Sequence, residues 1–137
     1  MTIDEARKEL RQYRFLCELK IELKSKLSQL NSDYNSLNGQ NSIYVDGGER
    51  NYGKITLLDK IHIKRLELAK AIYDAELQAI LIRSKISKMD EPYSSFLMKR
   101  FLEFKNLNKI SRELHLSNDR VKHISSEAVI KYSIIES

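Results

Sequence analysis

Apolar residues recur in steps of three and four along the first quarter of the chain: Ile3, Ala6, Leu10, Tyr13, Leu16, Leu19, Leu23, Leu27, Leu30, Tyr34 and Leu37. That spacing keeps one face apolar through some ten helical turns and predicts a single long helix close to a heptad repeat. Thr2 with Glu5 three residues later supplies a capping box for its start. At 1.5 Å rise per residue such a helix reaches roughly 50 Å. The pattern then stops. Residues 38–53, NGQNSIYVDGGERNYG, are rich in Gly and Asn and predict a loop, with Ile43, Tyr44 and Val45 as a brief extended segment.

A second long helix is expected from Ile55 or Thr56 to Lys88. One stripe is Leu58, Ile61, Leu68, Ile72, Ala75, Ala79, Ile82, Ile86 and Met89, interrupted only by Arg65. A second stripe, Ile63, Leu66, Tyr73, Leu77 and Ile80, lies well over a hundred degrees round the helix, taking about 100° per residue. A hairpin with the first helix buries only one of these faces. The other requires either the C-terminal part of the chain folding back or another subunit, which points to a homo-oligomer, a dimer in the first place.

Asp90-Glu91-Pro92 breaks the second helix and opens another, because Pro suits a first helical turn and disfavours helix in the residue before it. Tyr93 to Phe104 is the expected next helix, with Phe96, Leu97, Phe101 and Phe104 packing inward. Two short helices joined by a tight turn follow between Asn106 and Tyr132, and the tail Lys131 to Ser137 is expected to fray. Ile110 and Leu114 face inward on the first, Leu116 is apolar within the turn, and Ser111 is small where the helices would cross. Ser117 is an N-cap for the second, where Val121, Ile124 and Ala128 recur at helical spacing. This is the layout of a helix-turn-helix, whose second helix enters a DNA major groove. His115 occupies the turn position that wants positive φ, a region histidine tolerates better than most residues.

If Val121, Ile124 and Ala128 face inward, the 3.6-residue period turns Asp119, Lys122, His123 and Ser126 outward. Ser117 and Asn118 stand at the helix start and Arg120 on a flank. Lys122 is suited to guanine, Asn118 to adenine and Asp119 to the cytosine amino group. Arg120 is better placed for a phosphate, a contact that positions without specifying sequence. The expected architecture is therefore all-α: a coiled-coil-like antiparallel hairpin over residues 1–89, then a helix-turn-helix module over 90–137 that reads DNA with the helix 117–131.

Composition changes this picture little, and charge qualifies it. The formal net charge is +5, yet residues 88–137 hold nine Lys/Arg against seven Asp/Glu, a modest excess for a nucleic-acid module. Cys17 is the sole cysteine, so no intramolecular disulfide forms, and a reducing, cytoplasmic setting is expected. No apolar run approaches a membrane span, and MTIDEARKEL has no signal-peptide character. The three histidines, His62, His115 and His123, lie on separate elements. No Cys/His ligand spacing, phosphate-binding glycine loop or nucleophile motif is present, so neither an enzyme nor a cofactor or metal is expected.

The order of parts, together with MDEPYSSFLMKRFLEFKNLNKISRELHLSNDRVKHISSEAVIKY, resembles phage-encoded ArpU-like and RinA-like transcriptional regulators. Their C-terminal module is similar to the −35-reading domain of primary sigma factors. Phe96 to Leu102 resembles the family's support helix, Lys109 to Leu114 its first helix, and Ser117 to Ile124 the start of its recognition helix. Asn118, Asp119, Lys122 and His123 correspond to the DNA-reading positions. Two departures are His115, in place of the usual turn glycine, and Leu107-Asn108, where the family often has Trp or a similar residue. The resemblance implies a regulator of phage or mobile-element genes that binds double-stranded DNA upstream of a promoter in a bacterial cell. Contact between its coiled-coil part and RNA polymerase is a further expectation. Two alternatives stand beside it. One is a DNA-packaging component similar to small terminase subunits. The other is an adaptor that contacts RNA polymerase or another regulator without reading DNA.

Overall fold

A computed structural model describes the backbone of residues 1–41 and 48–136, with side chains for 1–37 and 56–136. The chain is all-α, and no strand occurs among the described residues. Two long helices, α1 (Ile3–Asn41) and α2 (Gly48–Ser87), form a helical hairpin. They are followed by a small bundle of α3 (Tyr93–Leu97), a π-helical turn (Met98–Leu102), α4 (Leu107–Leu114) and α5 (Asn118–Ser133). The capping box forms as the sequence predicts: the Glu5 amide donates to Thr2 Oγ1 at 3.1 Å and the Thr2 amide to Glu5 Oε2 at 3.4 Å. No described helix is long and apolar enough to cross a membrane.

The loop expected over 38–53 is shorter than its composition implies. Helix α1 continues to Asn41 and α2 begins at Gly48, whereas the segment expected to be extended, Ile43 to Val45, lies outside the described residues. Glycine and asparagine in a helix cost up to about 1 kcal/mol each, but extending a helix already nucleated adds a hydrogen bond per residue.

The chain divides into two compact units, Met1–Glu18 with Glu76–Ser137, and Leu19–Ala75. In the second unit Leu68, Ile72 and Ala75 of α2 are buried, and Leu58 and Ile61 are half-buried. Arg65, which breaks the apolar stripe in sequence, belongs to it in space. It is half-buried, and its guanidinium lies 4.6 Å from the centre of the Tyr34 ring of α1. A cation over an aromatic face, with the aliphatic stem packed below, lets an arginine stand in an apolar row. The opposite stripe is open, with Ile63, Leu66 and Tyr73 at 57%, 59% and 64% exposure.

In the first unit the start of α1 and the end of α2 pack with the short helices. Phe96, Leu97, Ile110, Val121, Ile124 and Tyr132 are fully or almost fully buried, together with Leu10 of α1 and Ile86 of α2. The continuation of the second stripe, Leu77 and Ile80, stays exposed here too, so the short helices do not cover it within their own unit.

Three expectations for this unit need correction. First, Tyr93 to Phe104 is not one α-helix: after Leu97 the turn widens, and the Glu103 amide donates to the Met98 carbonyl five residues back, at 2.9 Å. Second, Phe104 is not a core residue. It ends the widened turn at φ 59°, is about half exposed, and carries the Arg14 guanidinium 5.2 Å from its ring centre. Third, the tail from Lys131 does not fray at once. Helix α5 runs to Ser133 because Tyr132 is completely buried and its hydroxyl donates to Glu9 Oε1 at 2.7 Å.

That last bond belongs to a buried polar cluster. Glu9 also receives the Lys85 ammonium at 2.9 Å, and the ammonium lies 5.3 Å from the Tyr132 ring centre. Burial first, and the Glu9 carboxylate second, push the Tyr132 phenol well above its ordinary range. Lys85 is buried at 7% exposure, which is tolerable because it is paired and hydrogen-bonded. The cluster ties α1, α2 and α5 together at one point.

Candidate nucleic-acid interface

The turn between α4 and α5 is built around His115. Its backbone adopts φ 56°, ψ 44°, the left-handed conformation that the sequence requires at this position. The His115 amide donates to the Arg112 carbonyl at 3.3 Å and the Leu116 amide to the Ser111 carbonyl at 3.0 Å. Those two bonds form a Schellman cap, which satisfies the last carbonyls of α4 and reverses the chain. Ser111 contributes twice, since its hydroxyl also donates to the Leu116 carbonyl. A larger side chain there would lose that bond and crowd the crossing.

Both helices carry side-chain N-caps. Asn106 Oδ1 accepts from the Lys109 amide at 2.8 Å and Ser117 Oγ from the Arg120 amide at 3.1 Å, each with extended backbone before the helix. The caps set where each helix starts, and so which residues face which way. Helix α5 packs against α3 and α4. Its inward residues Val121, Ile124 and Ala128 are 1%, 0% and 0% exposed.

All seven residues singled out from the sequence, Ser117, Asn118, Asp119, Arg120, Lys122, His123 and Ser126, are exposed. They do not serve alike. Ser117 is occupied by its capping bond, and Ser126 donates back to the Lys122 carbonyl at 3.4 Å. His123 Nε2 sits 2.8 Å from Glu127 Oε1, whose other oxygen receives the Tyr93 hydroxyl at 2.6 Å. The Tyr93 hydrogen bond, more than any other influence, holds the Glu127 carboxyl below its usual range, and the same bond raises the Tyr93 phenol. The imidazole is thus oriented from behind. Asn118, Asp119 and Lys122 make no side-chain hydrogen bond or ion pair among the described residues, so their polar groups are free for a ligand.

A groove opens beside the start of α5, lined by Arg100, Asn106, Leu107, Asn108, Asn118 and Lys122. Of these, sequence reasoning identified only Asn118 and Lys122. Asn106 was legible as a cap, being an Asn directly before a short apolar-periodic helix. Arg100 was not, because its direction depends on the π-helical turn that bears it.

The wall behind this groove is held by charge. Glu113 of α4 receives Lys105 and Lys99, each at 2.9 Å, and Lys105 also meets Glu103 at 3.0 Å. Lys105 chiefly, with Lys99 second, lowers the Glu113 carboxyl to about 2. The same pairing raises Lys105, through Glu113 and then Glu103. Arg100 is steadied by a bond from its Nη1 to the Lys105 carbonyl at 3.1 Å. The surface that results has two helix starts, two cations and three amide side chains around one concavity, chemistry suited to phosphate oxygens and base edges. Comparison of the chain with protein-family models, curated proteins and solved structures finds no match.

Proposed function

We propose that the protein binds double-stranded DNA sequence-specifically as a transcriptional regulator, with α5 in the major groove. The observation that carries this reading is the orientation of α5. Val121 and Ile124 are sealed inside the bundle, while Asn118, Asp119, Lys122 and His123 share its open side next to the groove containing Arg100. Lys122, Asn118 and Asp119 are the base-reading groups, and His123 joins them in an orientation set by Glu127. Arg100, Asn106 and Asn108 hold the flanking phosphates. Regulation of phage or mobile-element genes follows only from the sequence resemblance.

Duplex binding followed by gel shift across salt concentrations tests the reading. Lys122→Ala changes the preferred sequence at a cost of about 1–3 kcal/mol for its base pair. Arg100→Ala weakens all duplexes alike. If both variants bind as the parent does, α5 is not the reading helix, and the module is an adaptor for RNA polymerase or another protein.

The active form in this reading is a dimer of two copies joined through α2. Ile63, Leu66, Lys70, Tyr73, Leu77 and Ile80 follow one another in steps of three and four, and the five apolar members are 43–64% exposed. That leaves roughly 500 Å² of apolar surface, near the upper limit for a monomer and more than half of the ~800 Å² each partner buries in an ordinary interface. Lys70 is the one polar member, a residue type that selects register at a core position. Native mass measurement distinguishes this dimer from a many-membered ring of the DNA-packaging kind.

A further inference from the structure

We infer that the N-terminal helix extends the nucleic-acid interface: Arg7, Arg11 and Arg14 of α1, joined to the α5 groove through Arg100, hold the phosphate backbone of the same duplex. The inference rests on the DNA-binding reading above and goes beyond it, because it assigns the contact to a part of the chain expected to serve for oligomerisation or contact with RNA polymerase.

Arg100 joins the two surfaces. It lines the groove beside Asn118 and Lys122, and it also lines a second cleft with Arg11, Arg14, Phe101 and Phe104. Arg11 in turn lines a third depression with Arg7 and Lys8, where Asp4 is the only acidic wall residue. Basic side chains therefore run without a gap from the recognition helix to the first turns of α1. Positions 7, 11 and 14 lie on one face of a helix and span about 10 Å, the rise of about three nucleotides of one strand.

Of the acidic residues near this track, Glu9 and Glu18 are engaged by other groups, and Asp4 is the one carboxylate that faces it without an ion pair among the described residues. Glu9 points away, bound to Lys85 and Tyr132. Glu18 meets Arg14 at 3.3 Å, but both groups are about two-thirds exposed, so the pair is weak and leaves the guanidinium able to add a phosphate. Arg7 and Arg11 have no carboxylate partner among the described residues. Arginine presents a planar fork of donors that matches phosphate oxygens, and Arg14 is already stacked on Phe104, so its guanidinium is partly ordered before any ligand arrives. The modest charge of residues 88–137 is no obstacle on this account, because the phosphate contacts come partly from residues ninety positions earlier.

The test uses the full chain, a labelled duplex and a salt series between about 50 and 200 mM. Arg7→Gln with Arg11→Gln removes two exposed guanidiniums that make no hydrogen bond or ion pair among the described residues. The expected result is a salt dependence shallower by about two in the log–log slope, and affinity at about 0.1 M salt lower on the order of fiftyfold for every duplex, with the ratio between preferred and random sequence unchanged. The paired Arg7→Lys, Arg11→Lys variant restores the slope. An unchanged slope in the glutamine variant, while Lys122→Ala still alters sequence preference, overturns this inference and leaves the DNA-binding reading standing. A lysine variant that fails to restore the slope overturns it as well, because the loss then did not come from phosphate charge. A parent chain that binds no duplex at any salt overturns both.

Discussion

Ile124 and Ile63 are the same residue type on helices of the same chain, one completely buried and the other 57% exposed. The difference lies in the units that hold them. In Met1–Glu18 with Glu76–Ser137, several helices meet and Ile124 is enclosed. In Leu19–Ala75, two helices lie side by side, and each offers its partner a single face. A pair of helices cannot bury two stripes on one of them. The bundle is therefore complete as a hydrophobic core, while the hairpin keeps a second apolar stripe exposed. The polar groups divide likewise. The bundle holds a buried Glu9–Lys85–Tyr132 cluster, and in the hairpin the half-buried Arg65 stacks on Tyr34.

The largest expected effect on this contrast comes from Ile124→Ala, which should destabilise the bundle by about 2–5 kcal/mol through lost burial and the cavity left behind. Leu66→Ala, a comparable truncation in the hairpin, should change the stability of a monomer by no more than about 0.5 kcal/mol, since its side chain is largely in water. Chemical denaturation of both variants at low protein concentration checks the pair. A loss of 2 kcal/mol or more at Leu66, growing with protein concentration, would mean that the stripe is covered by a second copy.

Tyr132→Phe is the next step down. It removes the hydroxyl that ties α5 to Glu9 and leaves a partly buried carboxylate short of a donor, costing about 1–3 kcal/mol. The same denaturation curve measures it, and a neutral result would show that Lys85 alone satisfies Glu9.

Acid acts on the α4 wall. The Glu113 carboxyl titrates near 2 rather than at its ordinary, higher value, held down by Lys105 and Lys99. A depressed carboxylate contributes stability that is present above the unfolded-state value and lost as pH falls towards the folded one. Melting temperature should therefore drop as pH is lowered from about 4.5 to 2, and the drop should be smaller in Glu113→Gln. Equal drops in the two proteins would show that acid destabilises the fold elsewhere.

His115→Gly should have a small effect of the opposite sign. Glycine relieves the left-handed strain of the turn at the expense of a more flexible unfolded chain, leaving a gain of about 0.5–1 kcal/mol.

Several parts of this protein were legible in the residues alone. Periodicity marked both long helices, the inward side of α5 and the second stripe of α2. Ser117 announced the start of α5, and His115 the left-handed turn, because capping and positive φ are local demands that few side chains meet. These features depend on residues within a turn or two of one another, which is why reading along the chain finds them. What tertiary structure decided involves residues far apart in number. Arg65 reads as a flaw in a stripe until Tyr34 is set against it, and Tyr132 reads as a fraying tail until Glu9 and Lys85 enclose its hydroxyl. Arg100 becomes a link between α5 and the arginines of α1 only when a widened turn bears it. Packing brought those partners together across gaps of tens to more than a hundred residues, and no local pattern carries that information.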